Sequence, residues 1–367
     1  MIDTVQHDSE VGGIEDSNRV RLLVIVQALD HNDPTLSFFL PWVRELARHY
    51  ESLNVVCLKK GLYDLPKSVQ VFSLGKETAR GAQSLKRISY IARLWRYAWK
   101  HRSEYDAVLI FQNQEYPLTT GWLWKVLGKK VYFWRNHYSG NWVTNIAISF
   151  CEKVFYTSRF SYTARFPNAV RMPVGIDTDV FRAVPSIERD RRGILFLGRM
   201  APSKNPSLLI DALELLHAQG IPFHATFVGD PLPTHSAFYA ALKKRVADSA
   251  IAESVTFAPG MPNTDIPLVY SAHTVSVNAS ASGMYDKTMF EAAACGCLVL
   301  ASSNDFASVA DPRCIFEEGN AQNLALKMEK LLALSETERS ELSRGLETIV
   351  AENTVRAFGS RLAEEIL

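Results

Sequence analysis

GILFLGRMAPSKNPSLLIDALELLHAQG, residues 193–220, decides the fold. It opens with an apolar run, Ile194 to Leu197, that stops at Gly198. A run so short and without polar alternation fits a strand buried on both faces, as in a parallel sheet. Arg199 and Lys204 follow in a loop, and Asn205-Pro206 then opens a helix-length segment. Proline is well suited to the first helical turn. Strand, loop and helix in this order make one unit of an α/β sheet.

The unit recurs on both sides. FHATFVG (223–229), SVTFAPG (254–260), TVSVNAS (274–280) and CLVLAS (297–302) continue one set of strands, with helical segments between them. An earlier set comprises LLVIV (22–26), NVVCL (54–58), VQVFSL (69–74), DAVLIF (106–111), KVYFW (130–134) and KVFYTS (153–158). Two doubly wound, Rossmann-like parallel α/β domains are therefore expected, over 20–180 and 193–350. The charged stretch 181–192 reads as their linker and residues 1–19 as a flexible tail. Val355, Phe358, Leu362 and Ile366 recur at helical spacing, so 351–367 should close the chain as an amphipathic helix, docked towards the first domain. In such sheets ligands bind at the carboxyl ends of strands, which places the chemistry in the cleft between the domains.

Composition narrows the function classes. The 367 residues suffice for two cores, and 47% apolar with 22% charged residues excludes extended disorder. Five cysteines, odd in number and mostly in apolar runs, suggest buried thiols in a cytoplasmic protein. Cys295-Gly-Cys297 lacks the further ligands of a zinc site. No stretch reaches the roughly 18 apolar residues of a membrane span, and residues 1–19 lack the order of a signal peptide.

The net charge of +1 hides an asymmetry. Through Val184 there are 24 Lys/Arg against 17 Asp/Glu, and beyond it 16 against 22. The basic excess concentrates between Lys76 and Arg102, where eight cations face the single acid Glu77. There Leu85, Ile88, Ile91, Leu94, Trp95, Ala98 and Trp99 follow a helical period. This helix, near 83–101, either covers its own sheet with its basic side in water or lies on an anionic membrane face. No nucleic-acid-binding module accompanies the charge.

Two constellations carry chemistry. Arg199 and Lys204, at a strand's carboxyl end beside a helix N-terminus, suit a diphosphate. SGMYDKTMFEAAACG (282–296) reads as a loop and a helix with Asp286 at its N-cap. The first-turn N–H groups of Lys287, Thr288 and Met289 then offer a second place for phosphate oxygens. Glu291, one turn on, either grips vicinal sugar hydroxyls or pairs with Lys287 along the helix.

With GRMAPSKN, the Glu helix ending FEAAACG and the hinge-like MPVGIDTDVF (172–181), the chain resembles glycosyltransferase family 4, the retaining transferases of GT-B fold. The resemblance covers nearly the whole chain from Arg21 and is strongest over 193–302. It implies a donor site of Gly198, Arg199, Lys204, Gly260, Met261, Gly283, Met284, Tyr285, Lys287, Thr288 and Glu291. Arg199 and Lys204 would hold the diphosphate, Glu291 the ribose, and the backbone at Gly260 and Met261 the base. The family usually has two glutamates flanking seven residues; the first position is Gly283 here, which leaves Asp286 as the nearest carboxylate. His137 would face the donor sugar and join Arg199, Lys204 and Asp286 in catalysis. Asp33, Glu115, Arg135 and Asn136 are acceptor-side candidates, with Asp30 and Gln112 behind them.

The expected activity is transfer of a sugar from a nucleotide diphosphate sugar to a glycan, lipid-linked or small-molecule acceptor, without a metal or resident cofactor. The alternatives are a nucleotide-sugar epimerase of the same fold and a non-catalytic sugar-nucleotide-binding protein. A dinucleotide oxidoreductase is disfavoured, because ALDHNDP follows the first strand in place of G-x-G-x-x-G. Arg199→Ala, Lys204→Ala and Glu291→Ala should each weaken nucleotide binding and spare the fold.

Overall fold

The computed structural model describes residues 20–33, 36–78, 83–283 and 285–367, with side chains described from Lys86 onward in the helix that starts at Gln83. The tail read over 1–19 lies outside the described residues. The first sheet has seven strands: β1 Arg21–Leu29, β2 Ser52–Lys60, β3 Val69–Ser73, β4 Ala107–Phe111, β5 Lys130–Trp134, β6 Lys153–Tyr156 and β7 Ala169–Arg171. They pair in parallel in the order β3-β2-β1-β4-β5-β6-β7. β7 is a short edge strand beyond the six expected. The second sheet comprises β8 Asp190–Leu197, β9 His224–Val228, β10 Val255–Ala258, β11 His273–Asn278 and β12 Leu298–Ala301, parallel in the order β10-β9-β8-β11-β12. Strand order reverses between β1 and β4 and between β8 and β11. Those two switch points are where a crevice opens in such sheets.

The continuous apolar runs have the cause inferred for them. Leu22 to Val26 are completely buried, because helices cover both faces of the first sheet. One of those helices is the last in the chain. Val355–Ile366 buries Val355, Phe358, Leu362 and Ile366 in the first domain's core, where the Phe358 ring lies 4.1 Å from that of Trp42. The crossing is pinned where Gly175 and Ile176 donate backbone N–H groups to the Asn353 carbonyl, at 3.0 and 2.9 Å. Trp42 Nε1 donates to the Gly175 carbonyl at 2.8 Å.

The stretch 181–192 is not a free linker. Phe181 is buried in the second core, Arg189 donates to the carbonyls of His273 (2.7 Å) and Cys295 (3.0 Å), and β8 already begins at Asp190. A charged sequence without periodicity reads as a connector, but these side chains satisfy carbonyls at the end of the second sheet. All five cysteines are buried and unbridged.

The basic helix forms over Gln83–Lys100, and the structure divides its apolar positions. Leu94, Tyr97 and Ala98 face the core, whereas Ile88, Trp95 and Trp99 face out. Among the described residues no helix is long and apolar enough to cross a membrane.

Candidate active site in the interdomain cleft

The two switch points face each other across a cavity of about 710 Å³. Gln27, Gln112, Asn113, Arg135 and His137 line it from the first domain, and Arg199, Tyr285, Asp286 and Lys287 from the second. A pocket of about 230 Å³ adjoins it in the second domain, lined by Gly198, Arg199, Gly260, Met261 and Glu291 among others. Arg199 lines both spaces. The loops after β8 and β9 that shape the pocket approach so closely that a Cβ at Gly229 would lie 2.0 Å from the Gly198 carbonyl oxygen. Only glycine fits there.

Asp286 occupies the N-cap position of helix Lys287–Ala294, but its carboxylate makes no capping bond. It accepts instead from Lys204 Nζ (2.5 Å), Ser280 Oγ (2.5 Å) and Asn278 Nδ2 (3.2 Å). The Asn278 amide also reaches Thr288 Oγ1 at 3.0 Å. Burial pushes the Asp286 carboxyl up, yet the Lys204 charge and these donors outweigh it and hold it below the usual range. Lys204, expected to hold a diphosphate together with Arg199, has its ammonium engaged by Asp286, and the pair fixes the mouth of the helix. With the carboxylate turned away, the first-turn N–H groups keep no side-chain cap. Arg199 is exposed and makes no ion pair among the described residues.

Lys287 reaches into the first domain. Its ammonium lies 3.9 Å from the Trp42 ring centroid and 4.1 Å from that of Phe38, and donates to the Gly175 carbonyl at 3.3 Å. Lys287 makes no ion pair within 4 Å with Glu291 among the described residues, although each side chain feels the other's charge. Burial lowers the Lys287 pKa against the opposing charges of Glu291 and Asp177; burial raises that of Glu291 against the charge of Lys287. Glu291 is thus left facing the 230 Å³ pocket.

Gly283 lies against the other domain. Its φ is +94°, and a Cβ there would sit 2.7 Å from Tyr138 Cβ and 3.2 Å from the Phe160 carbonyl oxygen. The first domain fills the space that a side chain at position 283 would need. Gly283→Ala is expected to lower stability by about 1–3 kcal/mol through backbone strain and the clash. An unfolding midpoint unchanged from wild type would contradict this packing. Tyr285 lines the cleft at φ +43° and packs on Phe290 with centroids 5.1 Å apart. Met284 lies outside the described residues.

On the first-domain side, His137 Nδ1 accepts from the Ser139 backbone N–H at 3.1 Å, which places the ring proton on Nε2. Burial and the neighbouring Arg135 charge lower its pKa, so the imidazole is neutral at pH 7. Arg135 Nη2 donates to the Ser139 carbonyl at 2.7 Å, while Nη1 is buried without a protein partner. Asn136 Oδ1 accepts from the backbone N–H groups of Thr157 (3.1 Å) and Ser158 (2.7 Å), tying together the loops after β5 and β6. Asp33 Oδ1 accepts from the Leu36 N–H at 2.9 Å at the cleft rim, and Asp30 holds the N–H groups of Asn32 and Leu62 outside the cavity. Glu115 is a correction. It is exposed in the first turn of helix Glu115–Val126 and lines neither space. The chain leaves β4 through Gln112 at φ +67°, which presents Gln112 and Asn113 instead. Gln27, bonded to Asn113 Oδ1 at 2.8 Å, was missed; its signal is a lone amide within the apolar run of β1. Beside the cleft, buried Asp305 of the second domain accepts from Ser158 Oγ and from the Arg159 N–H (2.9 Å), joining the domains.

Known proteins share this architecture. Residues 191–334 match the family model for glycosyl transferases group 1. The D-inositol 3-phosphate glycosyltransferase of Acidothermus cellulolyticus is 31% identical over 143 residues, which is 36% of this chain and 32% of that protein. That of Frankia alni is 33% identical over 141 residues, 35% of each chain. The matched stretch thus spans about a third of the length of these relatives. Among solved structures, Anabaena Alr3699/HepE in complex with UDP and glucose superposes with a TM-score of 0.74 at 17% identity, over 94% of this chain and 99% of that one. WaaG, a glycosyltransferase involved in lipopolysaccharide biosynthesis, gives 0.69 at 14% identity over the same shares, 94% and 99%. At such identities the likeness is one of fold, the facing α/β domains of GT-B.

Proposed function

We propose that the protein is a family 4 glycosyltransferase that transfers a sugar from a nucleotide diphosphate donor to a glycan, lipid-linked or small-molecule acceptor in glycoconjugate or polysaccharide synthesis, a reading supported by the match of residues 191–334 to the group 1 glycosyl transferases and by the GT-B fold. The observation that carries this reading is that Arg199 lines both cavities. A nucleoside fits the smaller one, with Glu291 on the ribose hydroxyls and the backbone at Gly260 and Met261 beside the base. Its diphosphate then meets the Arg199 guanidinium and the first turn of helix Lys287–Ala294. The sugar lies in the larger cavity, near His137.

The charge that develops on the leaving diphosphate is stabilised by Arg199 and the helix N-terminus. Such donors, fixed in advance, are usually the largest catalytic contribution. Lys204 and Asp286 act at one remove, fixing the loop that presents this helix end. A neutral His137 donates a hydrogen bond to the sugar without adding charge. Arg135, with one nitrogen lacking a protein partner, and Asn113 orient the acceptor. Retention follows from attack on the face the diphosphate leaves, with the acceptor proton passing to the departing phosphate oxygen. The charge neutralisation assigned here needs no metal.

Thermal unfolding in the presence of UDP, GDP, ADP and their sugar conjugates tests the reading, UDP first because a protein of the same fold binds it. A nucleotide at about 100 times its dissociation constant should add about 2.7 kcal/mol. Arg199→Ala is expected to lower kcat about 10²–10³-fold with the fold intact. Failure of every nucleotide to shift the transition would overturn the reading.

A further inference from the structure

Three consecutive helices of the first domain, Gln83–Lys100, Glu115–Val126 and Trp142–Ser149, form one layer that presents apolar side chains to solvent. On the first, Ile88 and Trp99 are 65% and 54% exposed, in a stripe that continues through Trp95. Trp95 and Trp122 both donate their indole N–H to the Thr119 carbonyl, at 3.0 and 2.9 Å, and meet edge to face at 5.8 Å. Their polar atoms are satisfied inward, so the outward parts are hydrocarbon. Trp142 is 71% exposed at the head of the third helix.

The charge on this layer is predominantly positive. Helix Gln83–Lys100 carries five cations and no acid, helix Trp142–Ser149 carries no charge, and the single acid of the layer is Glu115. Tryptophan, with an apolar body and a polar edge, concentrates at membrane interfaces, and flanking Lys/Arg add attraction to anionic headgroups. Contiguous apolar exposure rimmed by cations is the surface an anionic leaflet complements. The layer also abuts the cleft: Thr144 Oγ1 bonds Gln114 Oε1 at 2.7 Å, beside the carboxyl ends of β4 and β5.

We propose that this tryptophan-bearing basic layer docks on an anionic lipid bilayer, holding the first-domain side of the cleft at the membrane surface. The inference rests on exposure and charge alone, and so goes beyond the transferase reading.

The test is co-sedimentation of the full chain with sucrose-loaded vesicles, either equimolar phosphatidylglycerol and phosphatidylcholine or phosphatidylcholine alone. Binding to the anionic vesicles only, weakened by salt, is the expected result. Trp99→Ala with Trp142→Ala, and separately Arg96→Glu with Lys100→Glu, should each reduce partitioning by more than about tenfold. Circular dichroism and the nucleotide-induced thermal shift should stay unchanged. No sedimentation, equal binding to both vesicle types, or undiminished binding by both folded variants would overturn the proposal. So would a vesicle-free dimer in sedimentation velocity that the tryptophan substitutions dissociate, since a second copy would then cover the layer. Because vesicle binding is read without nucleotide and nucleotide binding without vesicles, the failure of either proposal is distinguishable from that of the other.

Discussion

Lys204→Ala is expected to destabilise the protein by about 3 kcal/mol at pH 7, even though its position in the sequence suggests a ligand contact that could be lost with the fold intact. Its ammonium sits 2.5 Å from Asp286, and the two side chains are only 20% and 16% exposed. Without Lys204, a largely buried carboxylate keeps only Ser280 and Asn278 as donors. Lys204→Met combined with Asp286→Asn should recover most of the loss, because the pair is then removed whole. The pH dependence has a definite sign. In the wild type the folded Asp286 pKa is depressed, so its stabilisation is present above the unfolded carboxyl pKa and is lost as pH falls through the folded value. In Lys204→Ala burial is opposed only by the Ser280 and Asn278 hydrogen bonds and raises the folded pKa above that of the wild type, so the penalty is largest near neutrality and relaxes as the carboxyl protonates. Urea unfolding at pH 7 and at pH 4 measures both. A neutral-pH loss under 1 kcal/mol, or one that grows on acidification, would mean that the pair does not hold the loop.

Phe358→Ala is expected to cost about 3–5 kcal/mol, and to do so in the first domain although the residue lies almost at the end of the chain. Phe358 is completely buried, with its ring 4.1 Å from Trp42 and 6.4 Å from Phe111. Truncation leaves a cavity beneath the face of the sheet that carries β1 and β4. Trp42 also anchors the Gly175 carbonyl and underlies Lys287, so the cavity opens next to the contact between the domains. Chemical unfolding followed by tryptophan emission should show the first domain melting earlier. All seven tryptophans lie in the first domain, so a tryptophan transition unshifted from wild type would contradict the placement of the helix.

These cases separate what one strand of sequence can show from what it cannot. Arg199, Glu291 and the loop at Gly260 were legible because each stands just after an apolar run or inside a short helix, where local spacing fixes which end of the sheet it reaches. The same logic failed for Glu115, since a single residue, Gln112 at φ +67°, redirects the chain between strand and helix. It failed again for the basic helix. Its period was correct, but periodicity does not say which side meets the sheet, and Leu94 went inward while Trp95 went out.

By itself the sequence determined the two sets of parallel strands, the end of the second sheet at which Arg199 meets the cleft and the amphipathic closing helix, because hydrophobic runs and helix punctuation act over a few residues. Tertiary structure alone decided that Lys204 answers Asp286 across 82 residues, that Gly283 yields its space to Tyr138, and that the last helix completes the first core. Each of those outcomes depends on which surfaces meet after the chain has crossed between domains, and no local pattern encodes that meeting.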